Sequence, residues 1–342
     1  MGHLFLVYKE STMKKIHRAL LSVVAVASLA LTACSTAEEE DQGSNKGTSE
    51  SALQIEDNNG THELDVPFER VAVTDNRAFE ILADWDLNIV AAPLGIVPDT
   101  LSDKINEDSI EANLGMHREP DLEALVAAEP DIVINGQRFT QHQADIEALM
   151  EDTPVLDFSP RDDKDMAEEL IRQTEALGKI FDHEDEAKKL VDDFNKALDR
   201  AKDAYDPEKT VMAVNTSGGD INYIAPGKGR FFGPFFDLLG MKPSLEVENA
   251  SDDHEGDDIS VEAIADSNPD YILIMDRDGA IAKDEAGYTP GKKLVEDSAA
   301  LKNVAAVKEG KIVAAPQDTY TNENIITFTE TLNAMADAFE KN

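Results

Sequence analysis

Two stretches of this chain, DLEALVAAEPDIVINGQR at 121–138 and SVEAIADSNPDYILIMDR at 260–277, are copies of one pattern. In each, a glutamate (Glu123, Glu262) stands seven residues before a Pro-Asp pair, and an arginine (Arg138, Arg277) eight residues after that proline. Asp121 and Ser260 are N-cap residues for a short helix that the Pro-Asp pair ends. The apolar runs Asp131-Ile132-Val133-Ile134 and Tyr271-Ile272-Leu273-Ile274-Met275 then read as buried strands, each followed by a loop that carries the arginine. An internal repeat of this kind predicts two blocks of one local architecture. Each block places a cation just past the carboxyl end of a strand, where open α/β sheets bind ligands.

Outward from the repeat, short apolar runs alternate with helical patterns, the signature of an α/β fold. Strands are expected at 70–73, 89–93, 131–134 and 155–158, then at 211–215, 222–225, 271–275 and 311–314. Between the two groups, residues 163–205 lack proline, and Ala, Leu, Lys and Glu recur at helical spacing. A break is expected at Phe181-Asp182-His183, followed by a helix over 184–205 about 33 Å long. Residues 60–183 are therefore read as an N-terminal α/β lobe, 184–205 as a connecting helix and 206–342 as a C-terminal α/β lobe.

The N-terminus has another character. Lys14, Lys15 and Arg18 precede an apolar run over 19–31, too short to span a bilayer, and small residues lead to Cys34. Residues 1–33 are read as a signal peptide, and Leu31-Thr32-Ala33-Cys34 resembles a bacterial lipobox, which makes Cys34 the lipidation site. Residues 34–59, rich in Ser, Thr, Glu, Asp, Gly and Asn, read as a flexible tether. The protein is expected on the outer face of the cell membrane, held by acyl chains. The net charge is −39, and 27 basic against 69 acidic residues remain from Cys34 onward, a net −42. Such a surface repels nucleic acid.

In so acidic a chain the placement of each arginine matters. Arg138 and Arg277 end the repeats, and Arg230 lies in Gly227-Lys228-Gly229-Arg230-Phe231-Phe232-Gly233, where a glycine-rich turn enters an apolar helix. A helix N-terminus adds partial positive charge, and guanidinium groups offer planar forks of donors and stack on aromatic rings. Three of them suit a bulky, delocalised anion such as a ferric tris-catecholate of charge 3−.

On the lipobox, the repeated Glu-Ala-[Leu/Ile]…Pro-Asp, Gly229-Arg230-Phe231-Phe232-Gly233 and Asn268-Pro269-Asp270-Tyr271…Asp276-Arg277, residues 64–340 resemble the siderophore-binding lipoproteins of ABC importers, the helix-backbone class of solute-binding proteins, and within it the catecholate or petrobactin-like group. The resemblance implies two lobes joined by a single long backbone helix, with the ligand in the cleft between them. It implies that Arg138, Arg230, Arg277, His254 and Tyr320 contact a ferric siderophore, and that Glu123 and Glu262 dock onto the ABC permease. It further implies a monomer that is not an enzyme and needs no cofactor, the chelate being cargo.

Other readings fit the residues less well. Zinc or manganese capture needs converging ligands, whereas His62, His117, His142, His183 and His254 are scattered, with no His-x-His or His-x-x-x-His. Haem would take His254 or Tyr320 as axial ligand, and ferric citrate or a hydroxamate complex suits the same fold. A secreted hydrolase would need a Gly-x-Ser-x-Gly elbow, which is absent. An acidic adhesin leaves the arginines at strand ends unexplained.

Overall fold

The computed structural model describes residues 52–341. The expected signal peptide, Cys34 and most of the expected tether lie outside the described residues. The tether's last residues do not match the expectation. Leu53–Glu56 form β1, paired antiparallel with β2 (Thr61–Leu64). Leu53 and Ile55 turn inward while Gln54 and Glu56 face water, a two-residue alternation that the polar composition concealed. Asp57 builds the turn by accepting from the Asn59 and Gly60 amides at 2.7 and 2.9 Å, and its other oxygen accepts from the Asp157 amide at 2.9 Å.

Short buried runs then form a parallel sheet. Its elements are β3 (Val71–Val73), α1 (Phe79–Asp84), β4 (Ile89–Ala92), β5 (Ala112–Asn113), α2 (Leu122–Ala127), β6 (Ile132–Asn135), α3 (Gln143–Leu149) and β7 (Val155–Asp157). The strand order is β5-β4-β3-β6-β7, with every pair parallel.

Two helices follow, α4 (Met166–Phe181) and α5 (Glu184–Ala204), separated where sequence placed the break. Asp182 takes the left-handed conformation at φ 59°, and the His183 amide closes on the Gly178 carbonyl at 2.8 Å. α5 buries Ala187, Val191, Phe194, Ala197, Leu198 and Ala201 along one stripe and pairs Lys188–Asp192 and Lys189–Asp193 on its wet face.

The remaining elements are β8 (Thr210–Ser217), β9 (Asp220–Tyr223), α6 (Gly233–Leu239), β10 (Lys242–Pro243), α7 (Val261–Ser267), β11 (Tyr271–Asp276), α8 (Arg277–Ile281), α9 (Gly291–Asp297), α10 (Ala305–Glu309), β12 (Ile312–Ala314) and α11 (Ile325–Phe339). Strands β10-β8-β11-β12 run parallel and β9 pairs antiparallel with β8. The repeat is visible in the fold. Asp121 and Ser260 cap α2 and α7 by accepting from the Ala124 and Ala263 amides, and β6 and β11 are interior strands of their sheets. The Pro-Asp carboxylates do matching work. Asp131 accepts from the Glu69 and Arg70 amides (2.7 and 3.0 Å), and Asp270 from the Thr210 amide (2.8 Å), each fastening the start of the neighbouring strand.

The described residues make one compact unit. One apolar core runs from the first sheet through α4, α5, α6 and α11 to the face of the second sheet carrying Val211, Ala213, Leu273 and Met275. The opposite face, with Met212, Val214, Ile272 and Ile274, packs on Ile264, Val295 and Ala306. No helix among the described residues is long and apolar enough to cross a membrane.

Candidate functional site

Arg138 reaches the site through a turn that its sequence dictates. After β6, Gly136 is extended, and a Cβ there would meet the buried Asp75 carboxyl at 2.7 Å. Gln137 then takes φ 47°, a left-handed conformation held by its amide donating to Ser159 Oγ (2.8 Å) and its side-chain oxygen accepting from the Arg138 amide (2.9 Å). Arg277, the first residue of α8, follows Asp276. The Asp276 carboxylate is fully engaged, accepting from Thr216 Oγ1, the Gly279 and Gly291 amides and Tyr288 Oη. Arg230 rises from the glycine-rich turn. A Cβ on Gly229 would sit 2.6 Å from the Ala225 amide nitrogen, and Phe231 is held at φ 58°. That strain is stabilised by the buried cluster of Phe231, Phe232, Phe235 and Phe328, with centroids 4.8–5.5 Å apart.

The three arginines converge. Their guanidinium carbons lie 5.2 Å (Arg138), 4.1 Å (Arg230) and 5.3 Å (Arg277) from the centroid of one ring, that of Tyr320. Tyr320 lies in the short turn Thr319–Thr321 and is 4% exposed. Burial alone would raise its hydroxyl pKa. The guanidiniums of Arg138 and Arg277 beside the hydroxyl, with the charge of Arg230, overcome that and hold it below the ordinary tyrosine value. Cation–π contacts of this kind contribute about 0.5–2 kcal/mol each.

The arginines differ in what else they hold. Arg230 donates through Nε to the Glu323 carboxylate and through Nη2 to the Tyr320 carbonyl at 2.7 Å. Arg277 donates from Nη1 to Ser217 Oγ (3.1 Å), and its Nη2 lies 3.2 Å from the Glu255 carboxylate, while its buried Nε has no partner. Arg138 leaves both Nε and Nη2 buried and unpartnered. Burying a donor without a partner costs roughly 1–3 kcal/mol, so these donors carry an unmet demand for an acceptor.

His254, by contrast, is not brought to the ring. Its half-exposed imidazole lies between Asp253 (3.6 Å) and Glu255 (4.0 Å) of its own loop, and it is Glu255 that reaches Arg277. Glu123 and Glu262 occupy the exposed first turns of α2 and α7. Two further residues belong to the cluster. Glu323, 5% exposed, accepts from Arg230 and also from Arg77 Nη2 at 3.3 Å. Arg77 had a readable signal, since it follows strand β3 as Arg138 follows β6. Glu323 had none, because an acid before the N-cap of α11 is ordinary. His117, whose buried Nδ1 is unpartnered, is pushed below the usual histidine pKa by burial and then by Arg138 and Arg118.

A cleft of about 670 Å³ lies between residues 160–166 and 227–252, with Arg161, Lys164 and Lys228 on its walls. None of the three clustered arginines lines it. Among the described residues no group of three or more His, Cys, Asp or Glu is disposed to hold a metal ion.

A family model described as periplasmic binding protein matches residues 71–319. The petrobactin-binding protein YclQ of Bacillus subtilis is 28% identical over 329 residues, covering 94% of this chain and 99% of its own. The Fe(3+)-citrate-binding protein YfmC of the same species is 24% identical over 317 residues, covering 92% of this chain and 93% of its own. The crystal structure of YclQ superposes with a TM-score of 0.70 at 24% identity, over 85% of this chain and 99% of that one.

Proposed function

The chain belongs to the periplasmic binding protein family, and on that premise we propose that it captures an anionic ferric siderophore, of the catecholate type, and hands it to an ABC permease. The observation that carries this reading is the convergence of Arg138, Arg230 and Arg277, from both sheets, on the single ring of Tyr320. Arg138 and Arg277, both beside that ring, also carry buried donors without a partner. A catecholate is an aromatic ring bearing anionic oxygens, and Tyr320 is a phenol ring whose hydroxyl the arginines draw toward the anion. In this reading the Tyr320 ring holds the place of a ligand ring, and entry of the chelate displaces it. The nearby cleft, bordered by Gly227 and Lys228 close to Arg230, has the volume of a small-molecule site.

In this reading residues 60–183 and 206–342 act as lobes about the helix at 184–205, with the chelate between them. Cys34 carries the lipid that holds the protein to the outer face of the membrane. Glu123 and Glu262, on equivalent helices, meet the permease. Similarity to an Fe(3+)-citrate-binding protein favours ferric citrate as the second reading.

Fluorescence titration of the purified protein with ferric catecholate, citrate, hydroxamate and haem complexes tests the proposal. Saturable quenching that is strongest with the catecholate is the expected result. Absence of saturation with every iron complex would defeat it. Replacing Cys34 with serine should release the protein from the membrane fraction.

A further inference from the structure

Glu323 is a carboxylate buried between two cations of the arginine cluster, Arg230 and Arg77. One oxygen takes the Nε proton of Arg230, and the other accepts from Arg77 Nη2 at 3.3 Å. The side chains of both arginines are as withdrawn from water as the acid requires, each 12% exposed against 6% for Glu323. Groups so placed act on one another through a medium that screens poorly. Two consequences follow for the ring site. Arg230 is locked with its face on Tyr320, since Nε and Nη2 are both spent on Glu323 and the Tyr320 carbonyl. Its charge is also largely answered before any ligand arrives, whereas Arg138 has no such partner for Nε or Nη2.

We propose that Glu323 is a specificity-determining residue: it holds Arg230 in place and lowers the positive charge of the site, so that the protein discriminates among ferric chelates by their net charge. This rests on the ferric-chelate reading above. Arg77 is the counterweight, sharing Glu323 and thereby returning part of Arg230's charge to the ligand. The site as built favours a chelate less anionic than three unopposed guanidiniums would select.

The test compares two ferric complexes of the same donor chemistry, a tris-catecholate of charge 3− and a bis-catecholate of charge 1−, on wild type, Glu323→Gln and Arg77→Gln. The readout is the ratio of their affinities, which general loosening of the site leaves alone because it weakens both. Glu323→Gln should shift the ratio toward the 3− complex by at least about tenfold, the order expected for one unit charge acting through an effective dielectric constant near 20. Arg77→Gln should shift it the opposite way, and it decides the matter alone if the glutamine variant at 323 does not fold. Ratios unchanged within about twofold, or both variants moving in one direction, overturn the inference while leaving the capture function standing. If wild type binds neither complex, the siderophore reading falls and this inference falls with it.

Discussion

Arg138 and Arg230 stand over the same ring, yet their loss should be felt differently. Among the described residues Arg138 has no carboxylate partner, and its buried Nε and Nη2 have no acceptor. Arg138→Ala should therefore weaken chelate binding at least tenfold, charge-assisted hydrogen bonds contributing roughly 1.5–3 kcal/mol each, with little change in the denaturation midpoint. Arg230→Ala removes half of the support of a buried carboxylate, leaving Glu323 to Arg77 alone. It should cost both affinity and stability, the latter by about 1–3 kcal/mol, less than the full penalty of an orphaned buried charge. Titration and urea denaturation of the two variants separate the effects; equal destabilisation would refute the distinction. Asp75 gives a second test. It lies fully buried, with Gln173 donating to it at 2.6 Å and the Arg77 amide at 3.0 Å, and burial raises its pKa to about 6. Because the folded state binds this proton more tightly than the unfolded chain, the stability it contributes is complete below about pH 4 and is lost as pH rises to about 6. The swing is on the order of 3 kcal/mol. Glu169 works in the opposite sense. Burial would raise its pKa, but hydrogen bonds from Arg161 and Arg172 hold it at about 2, so its contribution is lost only in stronger acid. Urea denaturation of wild type and Asp75→Asn from pH 4 to 7 should show the difference between them varying across this window; a constant difference would contradict it. At this scale sequence revealed the three arginines because cations are scarce in so acidic a chain. It hid Glu323, because which acid is buried depends on packing between distant segments.

The elements carry the duplicated design. α2 and α7 each begin with a side chain accepting from the third helical amide, and each presents its glutamate, exposed, in the first turn. Asp121→Ala and Ser260→Ala should each cost about 1 kcal/mol, the usual worth of an N-cap. Glu123→Ala and Glu262→Ala touch no ligand group and should change stability by less than about 0.5 kcal/mol, as exposed substitutions do. If they form the permease contact, each should leave chelate affinity intact and lower iron uptake by whole cells, and the double variant should nearly abolish it. Normal uptake by the double variant would remove them from docking. Strand and helix identity was legible wherever a buried run had a clear stop. The repeats, the αL break at Asp182 and the stripe of α5 are examples. The hairpin β1–β2 was missed because its alternation is only four residues long on each side, and its stability comes from Asp57 and Asn58 bonding to the end of β7. β5 and β10, two residues each, exist only through their neighbours and have no pattern of their own.

Over the whole molecule, charge sets how a ligand arrives. From Cys34 onward the chain carries a net −42, while the site's cations are few and half-buried. An anionic chelate therefore meets repulsion at long range and attraction only on close approach. At a physiological ionic strength the screening length is about 8 Å, and near 30 Å at 0.01 M. Diluting salt thus extends the repulsive field of the acidic surface much further than the local field of the arginines, whose partners Glu323, Glu255 and Asp278 shorten its reach. The association rate for a 3− ferric complex should accordingly rise, by several-fold or more, as sodium chloride goes from about 10 to 150 mM, the reverse of ordinary steered association, in which salt slows encounter. The dissociation rate, governed by desolvated contacts, should change far less. Stopped-flow fluorescence with the tris-catecholate complex measures both. An association rate that falls with salt would mean that the cleft focuses a positive field beyond its own walls, and that the acidity of the surface is irrelevant to capture.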